Sequence, residues 1–141
     1  MQSDSSATIR LQDELELVRG YLALEALQLE DRLAYEFDID QDLMAAAVPP
    51  LLLQTLVENA IRHGVARRQQ GGTIRIGAAP VGDHRWRLEI ENPPAELNAS
   101  QPSSGIGLRN ARERLDAAFD GQATLELATG AIVRATAELP L

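Results

Sequence analysis

Residues 51–64 read LLLQTLVENAIRHG, and they set Glu58, Asn59, Arg62 and His63 into an otherwise apolar helix pattern. An amide in mid-helix costs propensity, so a helix that only covered a core would avoid one. At helical spacing Thr55, Asn59, Arg62 and His63 stand at i, i+4, i+7 and i+8 and share a face. Glu58 lies at the margin, one turn from Arg62. A solvated face with a Glu58–Arg62 ion pair, worth only about 0.3–0.5 kcal/mol, is the plainest account of such a set. A second stretch, SSGIGLRNARERL at 103–115, argues for more. There Gly105 and Gly107 straddle Ile106 where a loop turns into a helix, with Leu108 the first inward residue. Glycine lets backbone approach a ligand closely, and a helix start offers unpaired N–H groups and a positive dipole end, which suits phosphate oxygens. Gly-x-Gly alone is often only a tight turn. After a long polar loop, and beside an amide-bearing helix, it points to a phosphate-bearing ligand.

The rest of the chain must supply the frame. Residues 11–30 (LQDELELVRGYLALEALQLE) predict one long helix. Leu15, Val18, Leu22, Ala26 and Leu29 form one apolar stripe, and Leu17, Tyr21, Leu24 and Leu27 form a second beside it. Two stripes exceed one packing face, so this helix is either deeply buried or touches something outside the chain. RLAYEFDID alternates as a half-buried strand, and residues 40–48 connect it to the amide-bearing helix, which Pro49 and Pro50 open and Gly64 ends. GGTIRIGAA and RWRLEIE predict two strands joined by the turn PVGDH, and NPPAELNASQPSS a mobile loop. GIGLRNARERLDAAF predicts a helix that stops at Asp120-Gly121, and ATLELAT and IVRATAEL predict two final strands. Strands with one charged face suit antiparallel pairing, which leaves the helices on the apolar face. The expected fold class is α+β. It is a two-layer α/β sandwich with a mixed, mostly antiparallel sheet of about five strands and three helices on one face.

Composition narrows the function. A chain of 141 residues with 45% hydrophobic content suits one domain with one core. No apolar run approaches the ~18 residues of a membrane span, and the N-terminus lacks a signal peptide's apolar centre. Without cysteine there are no disulfides or cysteine-bound metals, and two histidines are too few for a zinc site. The net charge of −8 disfavours nucleic acid and anionic membranes as partners. All 13 basic residues are arginine, which rules out any lysine-dependent chemistry, including a P-loop lysine.

The two stretches together resemble the nucleotide site of the GHKL ATPases: histidine kinases, gyrase-type topoisomerases, Hsp90 chaperones and MutL. The order LQDELELVRGYLALEALQLEDRLAYEFDID, VPPLLLQTLVENAIRHG, SGIGLRNARERL and terminal ELPL resembles the catalytic ATP-binding region of LytS-type (autolysin-sensor) histidine kinases, over residues 11–141. The resemblance implies a Bergerat-type sandwich that takes ATP and magnesium. It implies that Asn59 binds the metal and that Glu58 is the acidic partner in catalysis. Asn59, Arg62, His63, Asn92, Gly105, Ile106, Gly107 and Leu108 would bind the nucleotide, with residues 93–104 as a lid. The γ-phosphoryl would pass to a histidine on a dimerisation domain and then to a response regulator, in a homodimer. This portion would be cytoplasmic and its parent anchored in the inner membrane. Nothing ahead of Leu11 reads as the acceptor hairpin, so residues 1–10 are expected to be a polar leader. The helix at 11–30 would then continue from that dimerisation region.

Two departures from the family pattern stand out. Asn92 occupies the place of an Asp that accepts a bond from adenine's amine, and Pro94 that of a Gly. Strand parity puts Asn92 with Leu88 and Ile90 on the core side and Glu91 in water. An amide can still accept that bond, and by rotating it could serve adenine or guanine, so weakened binding is expected. Ala131 stands where a Thr is common, which removes a hydroxyl. The rival readings are a GHKL serine kinase of anti-sigma type and a non-catalytic interaction module that has lost ATP.

Overall fold

The computed structural model of the protein describes residues 7–96 and 105–141. Expected segments 1–6 of the leader and 97–104 of the lid lie outside the described residues. Helix α1 (Leu11–Leu29) follows a short strand β1 (Ile9–Arg10), and β2 (Leu33–Ile39) comes next. A short β3 (Ala47–Val48) leads into α2 (Leu52–Arg62), and β4 (Gly72–Val81) and β5 (Arg85–Asn92) form a hairpin. Helix α3 (Gly105–Phe119) and strands β6 (Thr124–Ala128) and β7 (Val133–Pro140) complete the chain.

The main sheet has five strands in the order β2-β4-β5-β7-β6. Only β2 and β4 run parallel, joined by the crossover that carries α2, and the other pairs are antiparallel. The mixed sandwich expected from alternation is therefore present. Trp86, Leu88 and Ile90 of β5 with Ile74 and Ile76 of β4 are buried against the helices. The other face is charged, and register lines up Glu36, Arg75, Glu91 and Arg134 across β2, β4, β5 and β7. Two details exceed the sequence reading. The expected connection 40–48 contains β3, which pairs with β1 in a separate two-stranded sheet. The inward face of edge strand β2 is only partly covered, with Arg19 of α1 stacked 4.2 Å from the Phe37 ring centroid.

Helix α1 separates its two stripes. Leu11, Leu15, Val18 and Leu22 are fully buried or nearly so, whereas Leu17, Leu24 and Leu27 are 52%, 64% and 77% exposed. Glu14 falls on the buried stripe and is 0% exposed. Its carboxylate accepts the N–H of Leu51 at 3.1 Å and the N–H of Gln54 at 3.2 Å. Those are the two donors that a capping box satisfies, and α2 has no side-chain cap of its own. A negative group there also suits the positive end of the helix dipole. Leu51 holds φ 68, a left-handed conformation that costs a residue with a Cβ about 1–3 kcal/mol unless the surroundings impose it. Glu14 imposes it.

Removing the buried carboxylate leaves two part-buried backbone donors without their acceptor. Glu14→Ala should therefore destabilise the fold by about 1–3 kcal/mol for each donor, and Glu14→Gln by less, because its amide oxygen still accepts. Urea unfolding checks this. A Glu14→Ala change below about 0.5 kcal/mol, the usual surface value, would contradict it.

Candidate functional site

Helix α2 packs between α1 and α3, and its phase decides which polar groups meet. Asn59 and His63, four residues apart, line one cavity together with Leu56 and Ala60. The opposite wall comes from Ile90 and Asn92 of β5 and from Val133 and Ala135 of β7. Leu108 of α3 closes one side, and Leu127 and Thr129 at the end of β6 close the other. The volume is ≈ 210 Å³. Small-molecule sites typically run ~300–1,000 Å³, so this one holds a ring-sized group and leaves the rest of a larger ligand outside.

Asn92 sits where β5 parity puts it, 6% exposed and on the side of Leu88 and Ile90. Glu91 points the other way and pairs with Arg134 at 2.6 Å. The Asn92 amide nitrogen donates to the Pro93 carbonyl at 2.7 Å. Gly64, just past the end of α2, packs so closely that a Cβ there would overlap this nitrogen and the Ala60 carbonyl. An oxygen facing the Pro93 carbonyl would be repelled, so the nitrogen must take that side. This bond favours the orientation in which the amide oxygen is left as the acceptor, against the expected rotation to suit two bases. The loop behind Gly64 is pinned by Arg32, which donates to the carbonyls of Ala66 and Arg68 at 3.1 and 3.0 Å. Arg68 in turn donates to the Pro94 carbonyl at 3.0 Å, tying down the segment after β5.

The start of α3 meets α2 at Asn59. A Cβ on Gly107 would lie 3.4 Å from Asn59 Oδ1 and 3.8 Å from Thr55 Cγ2, ordinary contact distances that set the start of α3 against this face of α2. Gly105 and Ile106 form the first turn of α3. The cavity and its rim thus bring together Asn59, His63, Asn92, Gly107 and Leu108 of the expected set. Glu58 and Arg62 are not on its wall. They stand one step round the helix from Asn59 and His63, about 100° away, which turns them toward α1. Glu58 accepts from the Gln54 amide at 3.2 Å rather than pairing with Arg62. Tyr21 of α1 shares this flank, and its hydroxyl is pushed up to about 12 by burial, then by Glu25 and Glu58, against Arg62. Sequence reasoning missed Thr129, which lines the cavity, whereas Ala131 is exposed and does not.

No family model matches the chain. The sensor protein LytS of Staphylococcus saprophyticus is 33% identical over 138 residues, covering 90% of this chain and 23% of LytS. The sensor histidine kinase BtsS of Escherichia coli K12 is 34% identical over 114 residues, covering 81% of this chain and 20% of BtsS. The chain belongs to the LytS-type sensor histidine kinase family. A Bacillus subtilis protein described as putative and uncharacterized, YwpD, is 32% identical over 120 residues, covering 79% of this chain and 43% of YwpD. The chain therefore spans less than half the length of these relatives. Among solved structures, the catalytic domain of histidine kinase ThkA superposes with TM-score 0.69 at 12% identity, covering 95% of this chain and 96% of that one. The Acinetobacter baumannii histidine kinase AdeS gives 0.66 at 20% identity, covering 94% of this chain and 66% of that one. These likenesses establish the fold.

In this kinase-family domain His63 is held neutral. Burial lowers its pKa from 6.5, and the nearby Arg67 and Arg62 lower it further. Its Nδ1 is buried and has no hydrogen-bond partner among the described residues. The unfolded chain thus takes up the proton first as pH falls. The His63 contribution to stability is complete above 6.5 and declines as pH drops from there toward the lowered value. In an NMR titration His63 should show a midpoint below 6.5, and a midpoint above it would contradict the assignment.

Proposed function

We propose that this domain binds ATP with a magnesium ion and donates the γ-phosphoryl group to a histidine on the dimerisation region of its own kinase, for relay to a response regulator. What supports this most directly is the meeting of Asn59 with Gly107 beside an apolar cavity whose far wall holds Asn92. The residues fit these groups. Ile90, Val133 and Ala135 suit the faces of a planar base, and the Asn92 oxygen can accept from an exocyclic amine. Because that orientation is favoured, adenine is preferred over guanine, whose carbonyl would face an oxygen. Asn59 offers a hard amide oxygen. Among the described residues no group of three or more His, Cys, Asp or Glu could hold an ion, so Asn59 would hold a magnesium ion that arrives with the nucleotide. When bound, the ion neutralises charge on the triphosphate.

Roles follow for the chain's own groups. Neutral His63 borders the base without adding charge, and the start of α3, at Gly105, Ile106 and Gly107, offers N–H groups to phosphate oxygens. Glu58 is the acidic partner, acting from the flank rather than from the cavity wall. The exposed stripe of Leu17, Leu24 and Leu27 on α1 is the seat for helices of the dimerisation region, in a homodimer. No helix among the described residues is long and apolar enough to cross a membrane. The domain works in the cytoplasm, and the parent is anchored in the inner membrane.

Thermal melts test the site. Magnesium with ATP should raise the melting temperature of the wild-type chain, through the free energy of ligand binding to the folded state. Asn59→Ala should keep the fold and lose that shift, and an unchanged shift would contradict the metal assignment. Incubated with labelled ATP, this chain alone should take no label, because His63 lies in the cavity wall and His84 in the β4–β5 turn. The full-length kinase should carry acid-labile phosphate. Acid-stable phosphate would indicate a serine kinase instead.

A further inference from the structure

A polyphosphate site in a chain of net charge −8 needs a local cation. Arg62, which spacing nominated, is exposed on the flank shared with Glu58 and does not line the cavity. Arg67 donates to the Arg62 carbonyl at 3.2 Å, and Arg68 to the carbonyls of Gly71 and Pro94 at 2.7 and 3.0 Å. Arg112 faces β6, where it donates to the Leu125 carbonyl at 3.0 Å. Arg114 does not line the cavity either, but it reaches the face of α2 that carries Asn59. It is half-buried, and its Nη1 reaches from α3 to Thr55 Oγ1 of α2 at 3.3 Å.

Thr55 stands one turn before Asn59 on the same face of α2, and such neighbours lie ~5–6 Å apart. Gly107, two turns earlier in α3, packs against both of them. Side chains on a helix tilt toward its N-terminus, which carries the Arg114 guanidinium back toward Gly107 and Asn59. The ion pairs among the described residues involve Arg10, Arg75, Arg85 and Arg134, so no carboxylate there claims Arg114. One long bond to a neutral hydroxyl leaves most of its donors unused.

We propose that Arg114 is the phosphate-contacting cation of this site, held by Thr55 at the edge where Asn59 meets the start of α3. This rests on the nucleotide reading above and adds to it the residue that senses how many phosphates the nucleotide carries. A planar guanidinium matches phosphate oxygens in a bidentate fork, which an ammonium does not. Arg114 therefore raises affinity for the triphosphate and leaves the base end of the cavity unaffected.

Calorimetry with Mg-ATP and with AMP, on wild type, Arg114→Ala, Arg114→Lys and Thr55→Val, tests this. Arg114→Ala should weaken Mg-ATP about tenfold to a hundredfold, the scale of a lost charged hydrogen bond, and change AMP by less than about twofold. Arg114→Lys should recover part of the loss, and Thr55→Val should show a smaller loss of the same kind. If Arg114→Ala fails to fold, Arg114→Gln decides by the same ATP-to-AMP comparison. A folded variant that binds Mg-ATP as wild type does, or that loses ATP and AMP equally, overturns the proposal. A wild-type chain that binds neither ligand overturns the nucleotide reading itself, and the role of Arg114 with it.

Discussion

The Glu14 carboxylate is the contact on which the site depends. It is fully buried, comes from α1, and holds the first turn of α2 through two backbone N–H groups. A helix start fixed at Leu51 and Gln54 fixes the rotation of everything after it. Asn59 and His63 then face the cavity, and Glu58 and Arg62 face α1. A rotation by one residue would exchange those pairs and put a carboxylate and a guanidinium against the apolar wall of Ile90 and Val133. The other end of α2 is held just as closely, because Gly64 has no room for a side chain beside Asn92. The helix that carries the polar residues is thus located at both ends by contacts from other elements, as a preorganised site requires.

Charge is distributed to the same effect. Three arginines of the open sheet face are paired, with Glu36, Glu138 and Glu91 at 3.3, 2.9 and 2.6 Å. Such solvent-screened pairs contribute little to stability, so their main consequence is to balance charge on that face. The cavity is lined chiefly by aliphatic groups, with its polar atoms confined to Asn59, His63, Asn92 and Thr129. A dry wall with a few placed polar groups is the usual construction of a ligand site. On the proposed nucleotide reading, His63 borders the base, and Asn59, the start of α3 and Arg114 serve the phosphate end.

Much of this was legible in the sequence, because periodicity speaks directly to burial. Alternation in RWRLEIE placed Asn92 inward and Glu91 outward, and the helical spacing of Asn59 and His63 put them on one face. Arg62 lies off the cavity wall because i+7 and i+8, which both count as the same face on a helical wheel, differ by about 100°. That difference decides which side of a cavity wall a group occupies. Glu14 left a trace that composition hides, since it stands three residues after Leu11 and four before Val18, on the buried stripe. Its partners are backbone N–H groups 37 and 40 residues away, which no local pattern encodes. Thr129 follows a strand in an exposed turn, and only the pairing of β6 with β7 brings it to the cavity. Strands β1 and β3 have two residues each, too few for any period.

The central claim is that the cavity between α2, α3 and the sheet is where a nucleotide binds. Amide chemical-shift mapping by NMR, with Mg-ATP titrated into the isotope-labelled chain, tests it directly. The account predicts that the largest shifts fall at Asn59, His63, Asn92, Gly107 and Thr129, while Glu36, Glu89 and Glu126 on the open sheet face stay still. Shifts centred on the open sheet face or on Leu17, Leu24 and Leu27 of α1, with the cavity residues unmoved, would contradict it.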